Sequence, residues 1–414
     1  MYRLFREARR ALLFGFIATG LTSVNLVQAA PAVPGVSATE VRVGWLGPES
    51  GPAATYGDVR KGIVAYFDYV NSQGGVNGRK LKLFSYDDKY QPSLTVRMMH
   101  RLVEKDHVFA TLGDIGSPTN AAVQKYVEDQ GLPMIMLCSA ANRFFVPPIA
   151  NFMGSCIASY TFEAKVMVNY AVKNLHRKTL AFAYDNTDYG KPILEAAMEA
   201  VKSYPGVKVL AQAALQPAET DFSAQAQKIK DANPDAVLVF ATPSPTAHLK
   251  KALSTIGMNS QTSAYLTTQE GGANTVLWQL AGKDVWADTY SLTSVPSVDA
   301  KTKPIELFVS QFKKQFPDTD PSGSPQSGWA SAQVFVEALR RTKDLTRENF
   351  LKTFYTFDNW KGSLFSSITF TPDDHFGISS LIVTQAKDGT MVPISGLISI
   401  DNKTGQFTEA PAAQ

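Results

Sequence analysis

From residue 40 onward the chain alternates short apolar runs with stretches of helical spacing, and this alternation constrains its fold more than any other feature. VRVGWLG runs into Gly47-Pro48, and GDVRKGIVAYFDYVNSQGG then shows helical spacing before stopping at Gly74-Gly75. KLKLFSYDD, SLTVRMMHRLVEKD and HVFATLG follow as strand, helix and strand, then a helix over AAVQKYVEDQG and a fourth strand in GLPMIMLCS. A second series begins after NFMGSCIASY: the helix TFEAKVMVNYAVKNL, the strand KTLAFAYD, the helix GKPILEAAMEAVKSYPG, the strand GVKVLAQAAL, the helix TDFSAQAQKIKDANP, the strand DAVLVFA and the helix SPTAHLKKALSTIG. Strands and helices in such succession predict βαβ units, with a parallel sheet covered by helices on both faces. Two further helical stretches, around SVDAKTKPIELFVSQFKKQFP and SGWASAQVFVEALRRTKD, precede a β-rich tail.

Two such series in a chain of 414 residues exceed what one hydrophobic core usually serves, so two lobes are expected. No long unstructured insertion separates them. If the late helices return to the first sheet, several segments join the lobes, which is what a hinge needs.

The first 29 residues stand apart. MYRLFREARR carries four arginines against one glutamate, ALLFGFIATGLTSVNL is apolar, and VQAA ends in small residues. This is the layout of a secretory signal peptide, with cleavage expected after Ala29. Its removal takes four of the 40 basic and one of the 37 acidic residues and leaves the two in balance. A neutral exported chain gives no reason to expect a nucleic acid or an anionic membrane surface as partner. Only two cysteines, Cys138 and Cys156, are present, and their spacing suits neither a metal site nor a redox motif. In an oxidising compartment they either pair or stay as two buried thiols.

The turn GDIGSPTN, residues 113–120, lies between a strand and a helix, where unpaired N–H groups and the positive end of the helix dipole favour an anion. Ser117 and Thr119 are candidates to receive it or to cap the helix. The five histidines are scattered and form no HExxH, and no GxSxG, GxGxxG or P-loop pattern occurs. An enzyme is not expected, nor a cofactor or catalytic metal.

VRVGWLGPESGPAATYGDVRKG, NSQGGVNGRKLKLFSYDD, GLPMI, AYDNTDYGKPI and TDFSAQAQKIKDANPDAVLV together resemble the leucine/isoleucine/valine-binding protein family, in the same order and over essentially the whole mature chain. These are the periplasmic components of branched-chain amino-acid ABC importers. The resemblance implies an α/β fold of two Rossmann-like lobes with parallel sheets joined by a three-strand hinge, the type I periplasmic binding protein. It divides the chain into lobe 1, residues 38–158 with 292–363, and lobe 2, residues 159–291 with 364–412. It implies a periplasmic monomer that captures a small carboxylate-bearing ligand, an apolar or branched-chain amino acid, by hinge closure, and that serves a membrane permease. Aromatic or aliphatic carboxylic acids, or a ligand-sensing role, are the alternative.

The same resemblance implies a set of site residues. Ser117 and the N–H groups after it would receive the ligand carboxylate. Cys138, Ser139 and Ala140, in LCSAANRF, would line the other side of the head group, although the family often has threonine where Ala140 stands. Tyr189 in YDNTDYGKP would close over the ligand, and Tyr56 in AATYGD would lie against its side chain. Glu270 would bond the ligand ammonium. The disulfide common among the amino-acid binders, from the DD loop to the residue before the binding serine, cannot form here, because that residue is Gly116.

Overall fold

The computed structural model describes residues 33–51, 53–269, 276–400 and 406–410. The first sheet contains five strands: β1 (Glu40–Gly47), β2 (Lys80–Asp87), β3 (Ala110–Leu112), β4 (Met134–Leu137) and β5 (Phe152–Ser155). They lie in the order β2-β1-β3-β4-β5, and every pairing is parallel. The second sheet begins with β6 (Thr179–Asp185), β7 (Lys208–Leu215), β8 (Ala236–Phe240), β9 (Ala264–Thr267) and β10 (Tyr290–Thr293), all parallel. It is extended by antiparallel β11 (Ser380–Lys387), β12 (Thr390–Pro393), β13 (Ile398–Ile400) and β14 (Phe407–Glu409).

Strands covered on both faces read as continuous apolar runs, and β4 (MIML) and β8 (AVLVF) are buried at every position. The helix Ser324–Arg341 buries Trp329, whose ring meets Tyr66 edge-on at 4.8 Å and Phe308 at 5.4 Å. Those contacts tie the late helices Lys303–Gln315 and Ser324–Arg341 to the early helix Asp58–Ser72 beside the first sheet. Three connections therefore run between the halves: β5 to the helix Tyr160–Asn169, β10 to the helix Lys303–Gln315, and the helical turn Phe354–Thr356 to β11. Two-lobe architecture follows, with the parallel strands that the alternation of strand and helix predicts, and the second sheet is mixed because β11–β14 add antiparallel strands to it.

Each sheet holds a buried aspartate that braces neighbouring strand ends. Asp114, just past β3, accepts the Leu46 N–H at 2.7 Å, and Asp185 at the end of β6 accepts the Thr242 N–H at 2.8 Å. The other oxygen of each has no hydrogen-bond partner among the described residues. Burial pushes both carboxyls up from the usual 3.8 to about 7. The folded state thus keeps protons that unfolded aspartates lose near pH 4, so stability is fully present below that pH and declines as pH rises towards 7. We expect the unfolding free energy to fall by about 1 kcal/mol or more over this window. Asp114→Asn should flatten the dependence, measured by urea denaturation at several pH values. A profile that rises with pH and ignores the substitution would contradict this account.

Candidate functional site

A cavity lies between the two sheets, at the carboxyl ends of their parallel strands, the usual ligand position in open α/β folds. It encloses about 730 Å³, the open space at its mouth included. Its walls come from the first half (Tyr56, Val59, Tyr90, Ile115, Gly116, Cys138, Cys156), the second half (Tyr160, Tyr189, Gln269), and the connections and returning helix (Ile157, Thr293, Ser294, Val295, Gly323, Ser324, Ser327). None of these described lining residues is charged. Four are tyrosines, which pair apolar faces with a polar tip.

The turn 113–120 sits at the cavity edge. Gly116 adopts φ 101°, a conformation that favours glycine, and a Cβ there would stand 2.5 Å from the Tyr90 ring. This permits the chain to turn sharply into the helix Ser117–Asp129, whose first N–H groups have no acceptor within the helix. The buried Ser117 hydroxyl lies 2.8 Å from the Ser139 hydroxyl and 3.0 Å from the Tyr160 hydroxyl. Three hydroxyls from three different elements therefore converge beside a helix N-terminus, and Tyr160 carries the cluster to the cavity wall. Thr119 faces away from this cluster, its hydroxyl donating to the carbonyls of Ile115 and, at 3.0 Å, of Gly116.

Cys138 and Cys156 are joined by a disulfide, which decides between the two states the spacing left open. The bond links the ends of adjacent parallel strands, because Leu137 of β4 is paired with Ser155 of β5. Both cysteines line the cavity, whereas Ser139 and Ala140 are fully buried and do not line it.

Tyr90 is held in the wall by a tight turn in which Lys89 and Tyr90 both have positive φ, 55° and 59°. Asp88 supports that turn by accepting the Tyr90 N–H at 2.9 Å and the Thr95 hydroxyl at 2.8 Å. Burial raises the Asp88 carboxyl to about 6. On the opposite wall, the Tyr189 hydroxyl lies 2.8 Å from the Thr268 hydroxyl, and its ring meets Tyr160 edge-on at 5.4 Å. Outside the cavity, Arg143 of the first half reaches Asp188 of the second at 3.4 Å.

The structure thus brings Tyr56, Tyr189 and Cys138 to the cavity, with Ser117 one hydrogen bond behind its wall and Ser139 bonded in turn to Ser117. Thr119 and Ala140 do not appear on the wall. Glu270 lies outside the described residues, as does the leader 1–29. Sequence reasoning missed Tyr90, Tyr160, Gln269 and the segment Gly323–Ser327. One signal could have found the last: Gly323-Ser324-Pro325 repeats Gly116-Ser117-Pro118, and both triplets open a helix at this cavity.

Residues 40–390 match the family described as periplasmic binding protein, and the chain belongs to that family. Within it the chain resembles the leucine/isoleucine/valine-binding proteins. It is 25% identical over 281 residues to a Leu/Ile/Val-binding protein homolog of Brucella melitensis, covering 65% of this chain and 74% of that one. A branched-chain amino acid transporter substrate binding protein from Streptococcus pneumoniae, solved in complex with isoleucine, superposes with a TM-score of 0.76 at 19% identity, covering 86% of this chain and 99% of that one. A fatty acid ABC transporter substrate-binding protein from Thermomonospora curvata does so with a TM-score of 0.77 at 21% identity, covering 91% and 94%. The type I periplasmic binding protein fold and a solute-binding role in the periplasm follow from membership. Among the described residues, no helix is long and apolar enough to cross a membrane.

Proposed function

We propose that the chain is the solute-binding component of an ABC importer for a small apolar amino acid, captured by closure of the two lobes. The observation that carries this reading is the Ser117–Ser139–Tyr160 hydroxyl cluster beside a helix N-terminus, at a cavity whose remaining described lining is uncharged and largely apolar. Hydroxyls, unpaired N–H groups and the helix dipole together suit a carboxylate without a cationic partner. Ile115, Val295, Tyr56 and Tyr90 suit an apolar side chain. The lobes are residues 38–158 with 292–363 and 159–291 with 364–412, Tyr189 closes from the second, and Glu270 reads the ammonium. Closure is favoured because the ligand contacts both lobes only in the closed state. The mature protein, cleaved after Ala29, works as a periplasmic monomer without catalysis and presents its closed form to a membrane permease.

A second reading is favoured by the four cavity tyrosines: an aromatic or aliphatic carboxylic acid without an amino group. Calorimetric titration of the refolded mature protein with leucine, isoleucine, valine and phenylalanine, and with their deaminated acids, separates the two. On the first reading the amino acids bind, Glu270→Gln loses them, and Ser117→Ala weakens them about tenfold or more. Binding of the deaminated acids alone, with Glu270→Gln unaffected, would transfer the assignment to the second reading. Binding that ignores Ser117→Ala would remove the carboxylate site from this turn.

A further inference from the structure

The amide of Gln269 carries information about the ligand that the carboxylate turn does not. Gln269 follows β9 on the second half and lines the cavity, yet it is only 8% exposed. Its Oε1 has no hydrogen-bond partner among the described residues. A buried amide carbonyl left unpaired is destabilising, and few native side chains stay so unless something else supplies the donor.

The strand end that carries Gln269 is held from several sides. The preceding Thr268 lies 2.8 Å from the Tyr189 hydroxyl, and its carbonyl accepts the Ser291 hydroxyl at 3.1 Å. Its N–H reaches the Val239 carbonyl at 3.4 Å. The amide is thus presented from a braced strand terminus, the kind of support that makes a polar contact selective. It comes from the second sheet, whereas the Ser117 turn comes from the first.

From this placement we propose that Gln269 is a specificity-determining residue whose Oε1 accepts a hydrogen bond from an N–H or O–H donor of the ligand, borne close to its carboxylate. The inference rests on the proposed carboxylate-binding function and narrows it. The ligand class becomes α-amino or α-hydroxy acids, and simple carboxylic acids are selected against because they leave this carbonyl buried and unpaired. The logic is that of a site built to bond a donor, which rejects analogues lacking it far more strongly than an apolar wall rejects a missing methylene.

The test is a calorimetric comparison of three probes of one carbon skeleton, leucine, 2-hydroxy-4-methylpentanoate and 4-methylpentanoate, repeated for the phenylalanine skeleton. It uses the mature protein and the variants Gln269→Met and Gln269→Glu, each checked for native circular dichroism. In the wild type the donor-bearing acids are expected to bind about tenfold or more tighter than the donorless one. Gln269→Met should collapse that ratio to within about threefold, chiefly by weakening the donor-bearing acids. Gln269→Glu keeps an acceptor and should retain preference for the amine. A wild-type protein that binds 4-methylpentanoate as tightly as leucine overturns the inference while the carboxylate reading stands. A ratio unchanged in Gln269→Met also overturns it. If no acid of either skeleton binds the wild type, the carboxylate reading itself fails and the inference falls with it.

Discussion

Gly328→Leu is expected to remove about 3 kcal/mol or more of folding stability and to abolish binding wherever the variant remains folded. The cause is the crossing of the helices Asp58–Ser72 and Ser324–Arg341, which touch backbone to backbone. A Cβ at Gly328 would stand 2.0 Å from the Val59 carbonyl oxygen, and one at Gly62 would stand 2.0 Å from that of Pro325. Both glycines have ordinary helical backbone, so space rather than conformation requires them. No rotamer change relieves a clash with backbone; the helices must separate. The same crossing sets the cavity wall, because Val59 belongs to one helix and Ser324 and Ser327 to the other. Urea denaturation followed by tryptophan fluorescence reads the effect, since Trp329 is buried beside Gly328. A variant within about 1 kcal/mol of wild type would mean that the helices tolerate separation.

Removing the Cys138–Cys156 disulfide, by reduction or by the double serine variant, is expected to cost about 3 kcal/mol. Its closed loop spans a sequence separation of 18 residues, and the crosslink restricts the unfolded chain. A second effect is local. The bond holds the ends of β4 and β5 together where they form cavity wall, so ligand affinity should fall along with stability. Denaturation curves with and without reductant measure the first effect, and titration of the reduced protein with leucine measures the second. Curves that coincide would show that strand pairing alone constrains this region.

Much of the architecture was legible because the long strands announce themselves. β1, β6 and β8 are rich in apolar residues and β2 opens by alternating lysine with leucine; each ends at or just before glycine, aspartate or alanine-threonine, and helices with clear spacing follow them. The four-residue strands β5, β9 and β10 were not legible. FMGS, AYLT and YSLT are too short for a period, and tertiary pairing makes them strands. The cysteine pairing was hidden for the same reason, since it depends on β4 and β5 being neighbours. In the site, Ser117, Cys138, Tyr56 and Tyr189 could be placed from motifs carried by one local segment each. Tyr160, Tyr90 and Gln269 could not, because each owes its place to a long-range arrangement. Tyr160 meets Ser117 across 43 residues of chain, and the Gln269 strand end is tied to Tyr189 through Thr268 across 79.

The route of the chain through the second sheet has a consequence in time. Strand β10, at residues 290–293, finds its outer partner only at β11, residues 380–387, and β11 is flanked in turn by β13 and β14 near residue 409. While the polypeptide emerges from its N-terminus, the first sheet can assemble from the first 155 residues, but the second stays open along its β10 edge until β11 has been made about ninety residues later. An exposed edge of buried-type strands invites pairing with another chain, and closing a loop of this span is slow. A growing chain of this protein is therefore most vulnerable after β10 has been made and before β11 has joined it, and a shielding factor would matter most in that interval.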